Sequence, residues 1–212
     1  MSARGRVLLA TRSDGKRREL EPMLRAFGWN VVDLNEAGIE ERRAEEEALE
    51  VEATFAGNAL AKARYFHARS GVPTVADDSG LVCEALDGAP GVHSKRWSAQ
   101  PTLRGAALDA ANNATLLAAL AAAAVRGAGS RAARYVCAAA FVDGVRAVVA
   151  EGETRGRILD RASGTGGFGY DPLFWSEDLW QSFGGVTRDE KSRVSHRGRA
   201  IEALMRKLDA GS

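Results

Sequence analysis

The sequence predicts an α/β protein in which a mixed β-sheet is flanked by helices, and three patterns indicate this fold class. The chain opens with a strand, a helix and a second strand, which is the order typical of α/β proteins. The segments 135–142 and 145–158 flank Asp143-Gly144 and predict an antiparallel hairpin. Other segments repeat apolar residues at the helical period. Parallel and antiparallel strands are therefore expected in one sheet.

The composition is that of an ordinary folded protein. The chain has 212 residues, of which 45% are hydrophobic and 27% charged, so one large domain or two small lobes is expected. Disordered, collagen-like and membrane classes fit this composition poorly. The formal net charge of +1 gives no global field toward nucleic acid or anionic lipid. Any polyanion must therefore be bound in a local pocket.

Short apolar segments and the cysteines bear on the cellular compartment. The run 7–10 is too short for a signal-peptide core, and 116–125 is about half as long as a membrane span. Cys83 and Cys137 have no metal-ligand spacing and are too few for a disulfide framework, so both are interpreted as buried hydrophobes. We expect a cytoplasmic protein without a membrane or nucleic-acid partner.

The first two predicted strands enclose an amphipathic helix. Residues 6–11 are expected to form a buried strand that ends in a polar loop. The helix that follows has one apolar face, formed by Leu20, Leu24 and Phe27. Gly28 ends this helix, and 29–34 is the second predicted strand. The polar loop after the first strand lies where α/β proteins bind ligands.

An acidic loop and a capped helix come next. Residues 35–53 show no regular period and carry many glutamates, so a solvated loop is expected. Thr54 can cap a helix that Gly71 ends. The core face of this helix is formed by Phe55, Ala59, Ala63 and Phe66. Asn58 and Lys62, four residues apart, point the same way from another face.

The middle of the chain predicts a strand, a helix and the hairpin. Residues 73–76 form a short strand that runs into Asp77-Asp78. The alanine-rich segment 106–125 is helical by propensity. The hairpin strands are expected at 135–142 and 145–158, joined by a type I′ turn at Asp143-Gly144.

The last part of the chain predicts a loop and a terminal helix. Residues 163–172 are rich in glycine and form a loop. Thr187 and Glu190 have the spacing of a capping box. The apolar face of the terminal helix is formed by Ile201, Leu204, Met205 and Leu208.

The first loop carries residues suited to an anion. Thr11, Ser13 and Lys16 lie between a strand and a helix N-terminus, where free backbone N–H groups and the helix dipole favour negative charge. Lys16 adds a positive charge, but the sequence lacks the P-loop pattern. The loop is either a phosphate site or a plain polar turn.

Asp77 and Asp78 indicate a cation. Two adjacent carboxylates at the end of an apolar strand cost desolvation free energy unless a cation or several donors hold them. Oxygen ligands favour magnesium over zinc or copper, and Glu50 is a possible second donor. The alternative is a turn in which both acids are exposed.

Two later segments could contact a base or another carbonyl-rich ligand. In the glycine-rich loop the backbone can approach a ligand closely, and Phe168 and Tyr170 offer flat faces for stacking. The segment 191–197 puts cations at a helix start, where acids would be expected for helix stability alone. A plain loop and a solvated charged face are the alternatives.

These segments occur together, in order and spacing, in one known family. The stretches that carry the likeness are 9–11 with Lys16 and Glu19, 54–55 with 58–59 and 62–63, 76–81, 88–92, 167–172, and Lys191 with 195–198. Each stretch is a modest signal, but their combined order is highly specific. Over essentially its whole length the chain resembles the inosine/xanthosine triphosphate pyrophosphatase family, which hydrolyses non-standard purine nucleotides.

The resemblance implies a fold, an activity and a set of site residues. The implied fold is a single domain, 1–212, with a long twisted mixed sheet and two lobes around a central nucleotide cleft, usually in a homodimer. The implied reaction is Mg²⁺-dependent hydrolysis of ITP, dITP and XTP to the monophosphate and pyrophosphate. Asp78 is implied as the catalytic carboxylate, and Glu50 and Asp78 as the magnesium ligands.

The resemblance also divides the substrate-binding residues into two groups. The residues that line up with the triphosphate site are Thr11, Arg12, Ser13, Asp14, Gly15, Lys16, Lys62 and Ser79. The residues that line up with the base and sugar pocket are Phe168, Gly169, Tyr170, Asp171, Lys191, His196 and Arg197. Lys191 and Arg197 are donor-only side chains, so they suit the 6-oxo group of hypoxanthine or xanthine and should reject ATP.

The chain departs from the family pattern at two positions. Ser13 stands where asparagine is usual, and it loses an amide donor while keeping a hydroxyl. Gly57 stands where glutamate is usual, which removes a capping-box carboxylate and an acid near the expected metal. These departures leave open a nucleotide-binding module without turnover. A related septum-associated pyrophosphatase that acts on other nucleotides is a separate alternative.

Overall fold

A computed structural model describes residues 4–211 of the chain, without the side chain of Arg43. The strands are β1 (Arg6–Leu9), β2 (Asn30–Val32), β3 (Thr74–Cys83), β4 (Ala132–Val142), β5 (Ala147–Ile158), β6 (Phe174–Ser176) and β7 (Gln181–Ser182). The α-helices are α1 (Asp14–Ala26), α2 (Arg43–Glu47), α3 (Phe55–Ser70), α4 (Gly105–Val125), α5 (Arg188–Val194) and α6 (His196–Ala210). Two 3₁₀-helices span Glu84–Leu86 and Gly91–Arg96.

The strands form a seven-stranded sheet in the order β2-β1-β3-β4-β5-β6-β7. Strand β1 is parallel to both β2 and β3, whereas β6 is antiparallel to both β5 and β7. The sheet is therefore mixed, and the predicted α/β fold class is confirmed.

The described chain divides into two compact units. The first contains the chain up to Asp78, the segment Cys137–Gly152 and the chain from His196 onward. The second contains Ser79–Val136 and Glu153–Ser195. Strands β3, β4 and β5 each contribute residues to both units.

Helices cover both faces of β1 in the first unit. Val7 and Leu9 belong to one apolar cluster, which includes buried residues of α1 and α6. Leu8 belongs to a second cluster, which includes buried residues of α3. Successive side chains of a strand point to opposite faces, so a strand covered on both faces needs a continuous apolar run. This explains the sequence of β1.

The core of the second unit is aromatic. The ring centroids of Tyr135 and Phe174 are 4.7 Å apart, and those of Phe174 and Phe183 are 5.0 Å apart. Leu116 and Leu120 of α4 lie in the same cluster. By length and composition α4 would suffice to cross a membrane, but these leucines pack in a folded core.

The ends of α3 confirm the predicted cap and terminator. The Thr54 hydroxyl accepts a hydrogen bond from the backbone N–H of Gly57, and Gly71 ends the helix with a φ of 66°. A residue other than glycine would be strained at this left-handed position. Both signals are local, which is why the sequence alone located them.

Three local structures differ from the predictions. Strand β3 does not end before Asp77 but continues to Cys83, and the acidic segment contains the short helix α2. The predicted type I′ turn is wrong, because only Gly144 of the pair Asp143-Gly144 has a positive φ. Instead the Asp143 carboxylate accepts hydrogen bonds from the N–H groups of Val145 and Arg146.

Candidate active site

Asp77 lies in the first unit among cations. Its side chain is 1% exposed, 2.9 Å from Lys16 Nζ and 3.6 Å from Arg197 Nε, both measured to Asp77 Oδ2. Burial raises the pKa of this carboxyl, but the charges of Lys16, Arg197 and Lys62 outweigh burial and lower the pKa to about 2. Asp77 is therefore ionised at neutral pH and holds two cations in place.

Asp78 has a different set of partners. Asn58 Nδ2 donates to Asp78 Oδ2 at 2.9 Å, and Lys62 Nζ lies 3.5 Å from Asp78 Oδ1. The same Nζ lies 2.9 Å from Glu50 Oε1. Asn58 and Lys62 therefore point the same way from α3, as their spacing predicted, and Lys62 links the two predicted metal ligands.

Lys62 is held in its charged form by these acids. Burial lowers the pKa of its ammonium, whereas Asp78, Glu50 and Asp77 raise the pKa, and the net shift is upward. A charged lysine beside two carboxylates is a donor that can turn toward a phosphate oxygen.

Arg197 is buried in the first turn of α6. Its Nη1 donates to Glu19 Oε2 at 2.8 Å. A Cβ added at Gly152 of β5 would lie 2.4 Å from Ala200 N and 2.5 Å from His196 O, so the start of α6 packs directly on the strand backbone. Glycine at 152 thus allows the close approach that places Arg197 beside Glu19 and Asp77.

The first loop combines a helix cap with a lysine. The N–H of Ser13 donates to Thr11 Oγ1 at 3.1 Å, and Ser13 Oγ accepts from the N–H of Lys16 at 3.4 Å. A small cavity lies at the start of α1 and is lined in part by residues 11–14. Arg12, by contrast, pairs with Glu46 at 2.9 Å. In the described contacts Arg12 therefore connects the first loop to α2, whereas Lys16 pairs with Asp77.

The donor set of the first unit fits magnesium. Glu50 and Asp78 supply carboxylate oxygens, the ligands that Mg²⁺ prefers. Among residues 4–211 no group of three or more His, Cys, Asp or Glu side chains could hold a metal alone. Mg²⁺ is usually bound by one or two carboxylates together with substrate phosphates. The pair suits an ion that arrives with a triphosphate.

In the second unit the glycine-rich loop is organised around Asp171. Asp171 Oδ2 is 2.5 Å from Lys191 Nζ and accepts from the N–H of Phe168 at 2.9 Å. The hydroxyl of Tyr135 donates to Asp171 Oδ1 at 3.3 Å. Lys191 Nζ also lies 5.2 Å from the centre of the Phe168 ring. One buried carboxylate thus fixes both the loop backbone and the lysine.

Tyr170 connects this loop to the segment that contains Ser94 by a buried hydrogen bond. The residue is 4% exposed, and its hydroxyl donates to the carbonyl of Ser94 at 2.8 Å. Burial raises the pKa of this phenol, so it stays a hydrogen-bond donor at neutral pH. Phe168 is half-buried, and it is the ring of this pair that keeps exposed surface for stacking.

The predicted site residues fall into the two units. The first unit contains Thr11, Arg12, Ser13, Asp14, Gly15, Lys16, Glu50, Lys62, Asp78, His196 and Arg197. The second contains Ser79, Phe168, Gly169, Tyr170, Asp171 and Lys191. Sequence reasoning placed Arg197 with the base-binding residues, whereas its described contacts are with Glu19 and Asp77.

Sequence reasoning also left some residues without a role. Glu19 and Asn58 lie in stretches that carry the family resemblance, and Asn58 has helical spacing from Lys62, but the sequence predicts no role for either residue. Both side chains are polar and buried, at 8% and 0% exposure, and each bonds a predicted site residue. A polar residue on the inner face of an amphipathic helix is the signal that could have found them.

Comparisons with known proteins find relatives over nearly the whole chain. A model of the Ham1 family matches residues 7–207. The chain is 42% identical over 208 residues to a dITP/XTP pyrophosphatase of Bordetella parapertussis, covering 97% of this chain and 92% of that one. It is 41% identical over 206 residues to one of Ralstonia nicotianae, covering 96% of each. A HAM1 protein from Coxiella burnetii superposes with a TM-score of 0.81 at 30% identity, covering 98% of this chain and 100% of that one.

Proposed function

The chain belongs to the Ham1 family, and from this premise we propose that it hydrolyses ITP, dITP and XTP to the nucleoside monophosphate and pyrophosphate. It is a nucleoside triphosphate diphosphatase that removes non-standard purine nucleotides. The observation that carries the proposal is Asp78, a buried carboxylate held by Asn58 and Lys62 next to the ion pair of Asp77 with Lys16.

The geometry of the first unit suits attack of water on the α-phosphorus. Asp78 is the carboxylate that accepts a proton from the attacking water. The new bond joins the water oxygen to the α-phosphorus, and the bond from that phosphorus to the bridging oxygen breaks. Pyrophosphate leaves, and the ammonium groups of Lys16 and Lys62 donate to its oxygens.

The carboxylates of Glu50 and Asp78 would hold magnesium, which when bound would neutralise the phosphate charge that develops during hydrolysis. Asp77 needs no metal, because Lys16 and Arg197 already balance its charge. This division of roles assigns the metal to one member of the aspartate pair.

The second unit supplies the groups that select the base. Phe168 offers a stacking face, and Lys191, held by Asp171, offers only hydrogen-bond donors. A 6-oxo purine presents an acceptor to such a donor, whereas the 6-amino group of adenine presents none. We infer that ITP and XTP are accepted and that ATP is rejected.

We further propose the setting in which the enzyme works. Its partners are the nucleotide, Mg²⁺ and a second copy of the chain, and it acts in the cytoplasm without binding nucleic acid or a membrane. The near-neutral net charge of +1 supports the absence of a general attraction to polyanions. Sedimentation of the purified protein tests the homodimer.

Hydrolysis of ITP in water enriched in ¹⁸O tests the reaction. Attack at the α-phosphorus puts the label in inosine monophosphate and leaves pyrophosphate unlabelled, and ³¹P spectra show no orthophosphate. Label in orthophosphate, or in pyrophosphate alone, would contradict the proposed bond cleavage.

A further inference from the structure

Two side chains on α4 bind the backbone of the glycine-rich loop, 163–172. The N–H of Gly169 donates to Asp109 Oδ2 at 2.8 Å. The carbonyl of Gly169 accepts from Asn113 Nδ2 at 3.1 Å. Asp109 and Asn113 are four residues apart, so they are neighbours on one helix face. Both backbone polar groups of a single residue are thus bound by one helix.

Gly169 is suited to be held in this way. Its φ is 64°, a conformation that side chains rarely adopt, and a Cβ added there would meet nothing within 4 Å. The glycine therefore serves backbone conformation rather than close packing. It lies between Phe168, whose ring is half-buried, and Tyr170, whose hydroxyl is bound to the Ser94 carbonyl.

The amide of Asn113 is oriented so that its nitrogen donates to Gly169 and its oxygen accepts no hydrogen bond from the described residues. Its Oδ1 is buried and accepts no hydrogen bond from any atom of residues 4–211. A buried acceptor without a donor is unfavourable. Turning the amide over would place this oxygen against the Gly169 carbonyl and lose the bond. The bond to the Gly169 carbonyl therefore decides the orientation of the Asn113 amide.

Other polar residues of α4 near Asn113 make hydrogen bonds elsewhere and not to Gly169. Asn112, next to Asn113, bonds the N–H of Ser98 and the carbonyl of Lys95 in another segment. The Thr115 hydroxyl donates to the Ala111 carbonyl of its own helix at 2.9 Å. Among these residues of α4, Asp109 and Asn113 are therefore the ones that hydrogen-bond the Gly169 backbone.

We propose that Asp109 and Asn113 are positioning residues for base recognition, which hold Gly169 so that the Phe168 ring stays beside Lys191. This inference rests on the proposed function of the loop. The two bonds to Gly169 act together with the bond from the Phe168 N–H to Asp171 to keep the Phe168 ring 5.2 Å from Lys191 Nζ, and their loss should loosen that placement. Because base contacts are present in both ground and transition states, their loss should raise KM and leave kcat nearly unchanged.

Steady-state kinetics with ITP test the proposal in matched variants. Asp109→Ala removes the acceptor, and Asn113→Asp keeps the size but turns an oxygen toward the Gly169 carbonyl. Each should raise KM by about tenfold, with kcat within about twofold of the unmodified enzyme. Asp109→Asn retains an acceptor oxygen, so its KM should be close to that of the unmodified enzyme. Thr115→Ala, on the same helix, should also leave KM unchanged.

Hydrogen exchange gives a readout that does not depend on turnover. The Gly169 amide should exchange at least about tenfold faster in Asp109→Ala than in Asp109→Asn. Unchanged KM in both Asp109→Ala and Asn113→Asp overturns the proposal, whatever the exchange rates. An equal rise of KM in Thr115→Ala also overturns it.

Failure of the proposed function is distinguishable from failure of this inference. If the unmodified protein releases no pyrophosphate from ITP, the proposed function fails. Calorimetry with inosine monophosphate then decides the positioning role in the same variants. About tenfold weaker binding in Asp109→Ala than in Asp109→Asn supports it, and equal binding overturns it.

Discussion

Asp77 and Asp78 are adjacent in β3 but have different environments. Asp77 is balanced by Lys16 and Arg197, and its pKa is lowered to about 2. Asp78 is held by a neutral amide and by Lys62, which it shares with Glu50. Asp77 is thus paired with two cations and Asp78 with one among the described contacts, and we propose Asp78 as the catalytic carboxylate.

Replacing Asp78 should separate activity from folding. Asp78→Asn keeps the size and the bond from Asn58 but removes the negative charge, so kcat for ITP should fall by at least about a hundredfold. Asp160→Asn is the control, since Asp160 is an exposed partner of Arg131. Pyrophosphate release and the melting temperature are measured for both. Turnover retained in Asp78→Asn would contradict the assignment.

Arg197 should matter for the stability of the fold. Arg197→Met leaves Glu19 buried without its charge partner and removes one cation from Asp77, so the free energy of unfolding should fall by about 3–5 kcal/mol. Adding Glu19→Gln to this variant should restore part of the loss. Urea denaturation measures both effects. A loss below about 1 kcal/mol would show that the ion pair is not structural.

The contact between α6 and β5 depends on one glycine. Gly152→Ala would bring a Cβ within 2.4 Å of the Ala200 nitrogen, and backbone atoms cannot move aside cheaply. We expect this variant to lose more than about 3 kcal/mol of unfolding free energy. Gly129→Ala, where a Cβ would meet nothing within 4 Å, should be nearly neutral. Equal stability of the two variants in urea contradicts the packing argument.

Helix ends were predictable because their signals are local. Thr54 and Gly71 bound α3, and the capping box of Thr187 and Glu190 begins α5, as expected. The extension of β3 through Asp77 was not predictable in this way. Two acids suggested the end of a strand, and only the distant Lys16 and Arg197 make the continuation favourable.

The candidate site was predictable where residues are close in sequence. The common direction of Asn58 and Lys62 follows from the helical period, and the position of Lys16 at the start of α1 follows from the strand-to-helix turn. The contact of Arg197 with Glu19 joins residues 178 positions apart, and no local pattern reports such a contact. The hydrogen bond from Gly169 of the glycine-rich loop to Asp109, 60 positions away, is of the same kind.

The two thiols test whether the chain unfolds as a single domain, as we propose. Cys83 lies in the second unit and Cys137 in the first, and both are buried and free. Burial raises the pKa of Cys83 to about 12 and raises the pKa of Cys137 as well. At pH 8 both thiols stay protonated and should not react with a disulfide reagent. Raising the pH toward 12 should increase the thiolate fraction of Cys83.

In urea at pH 8 the two thiols should become reactive in one transition. Mass spectrometry of the labelled peptides reports each cysteine separately. Coincident midpoints indicate one cooperative domain. Reaction of one cysteine well before the other would show that the two units unfold independently.

The activity proposed for the whole molecule is base-selective hydrolysis of nucleoside triphosphates to the monophosphate and pyrophosphate. The most direct test is pyrophosphate release from ITP, dITP, XTP, GTP, ATP and dTTP, with and without Mg²⁺, at mildly alkaline pH. We predict strong Mg²⁺-dependent release from ITP, dITP and XTP and little from ATP or dTTP. Equal release from ATP, or no release while ITP still raises the melting temperature, would contradict the account and indicate either a different selectivity or a nucleotide-binding module.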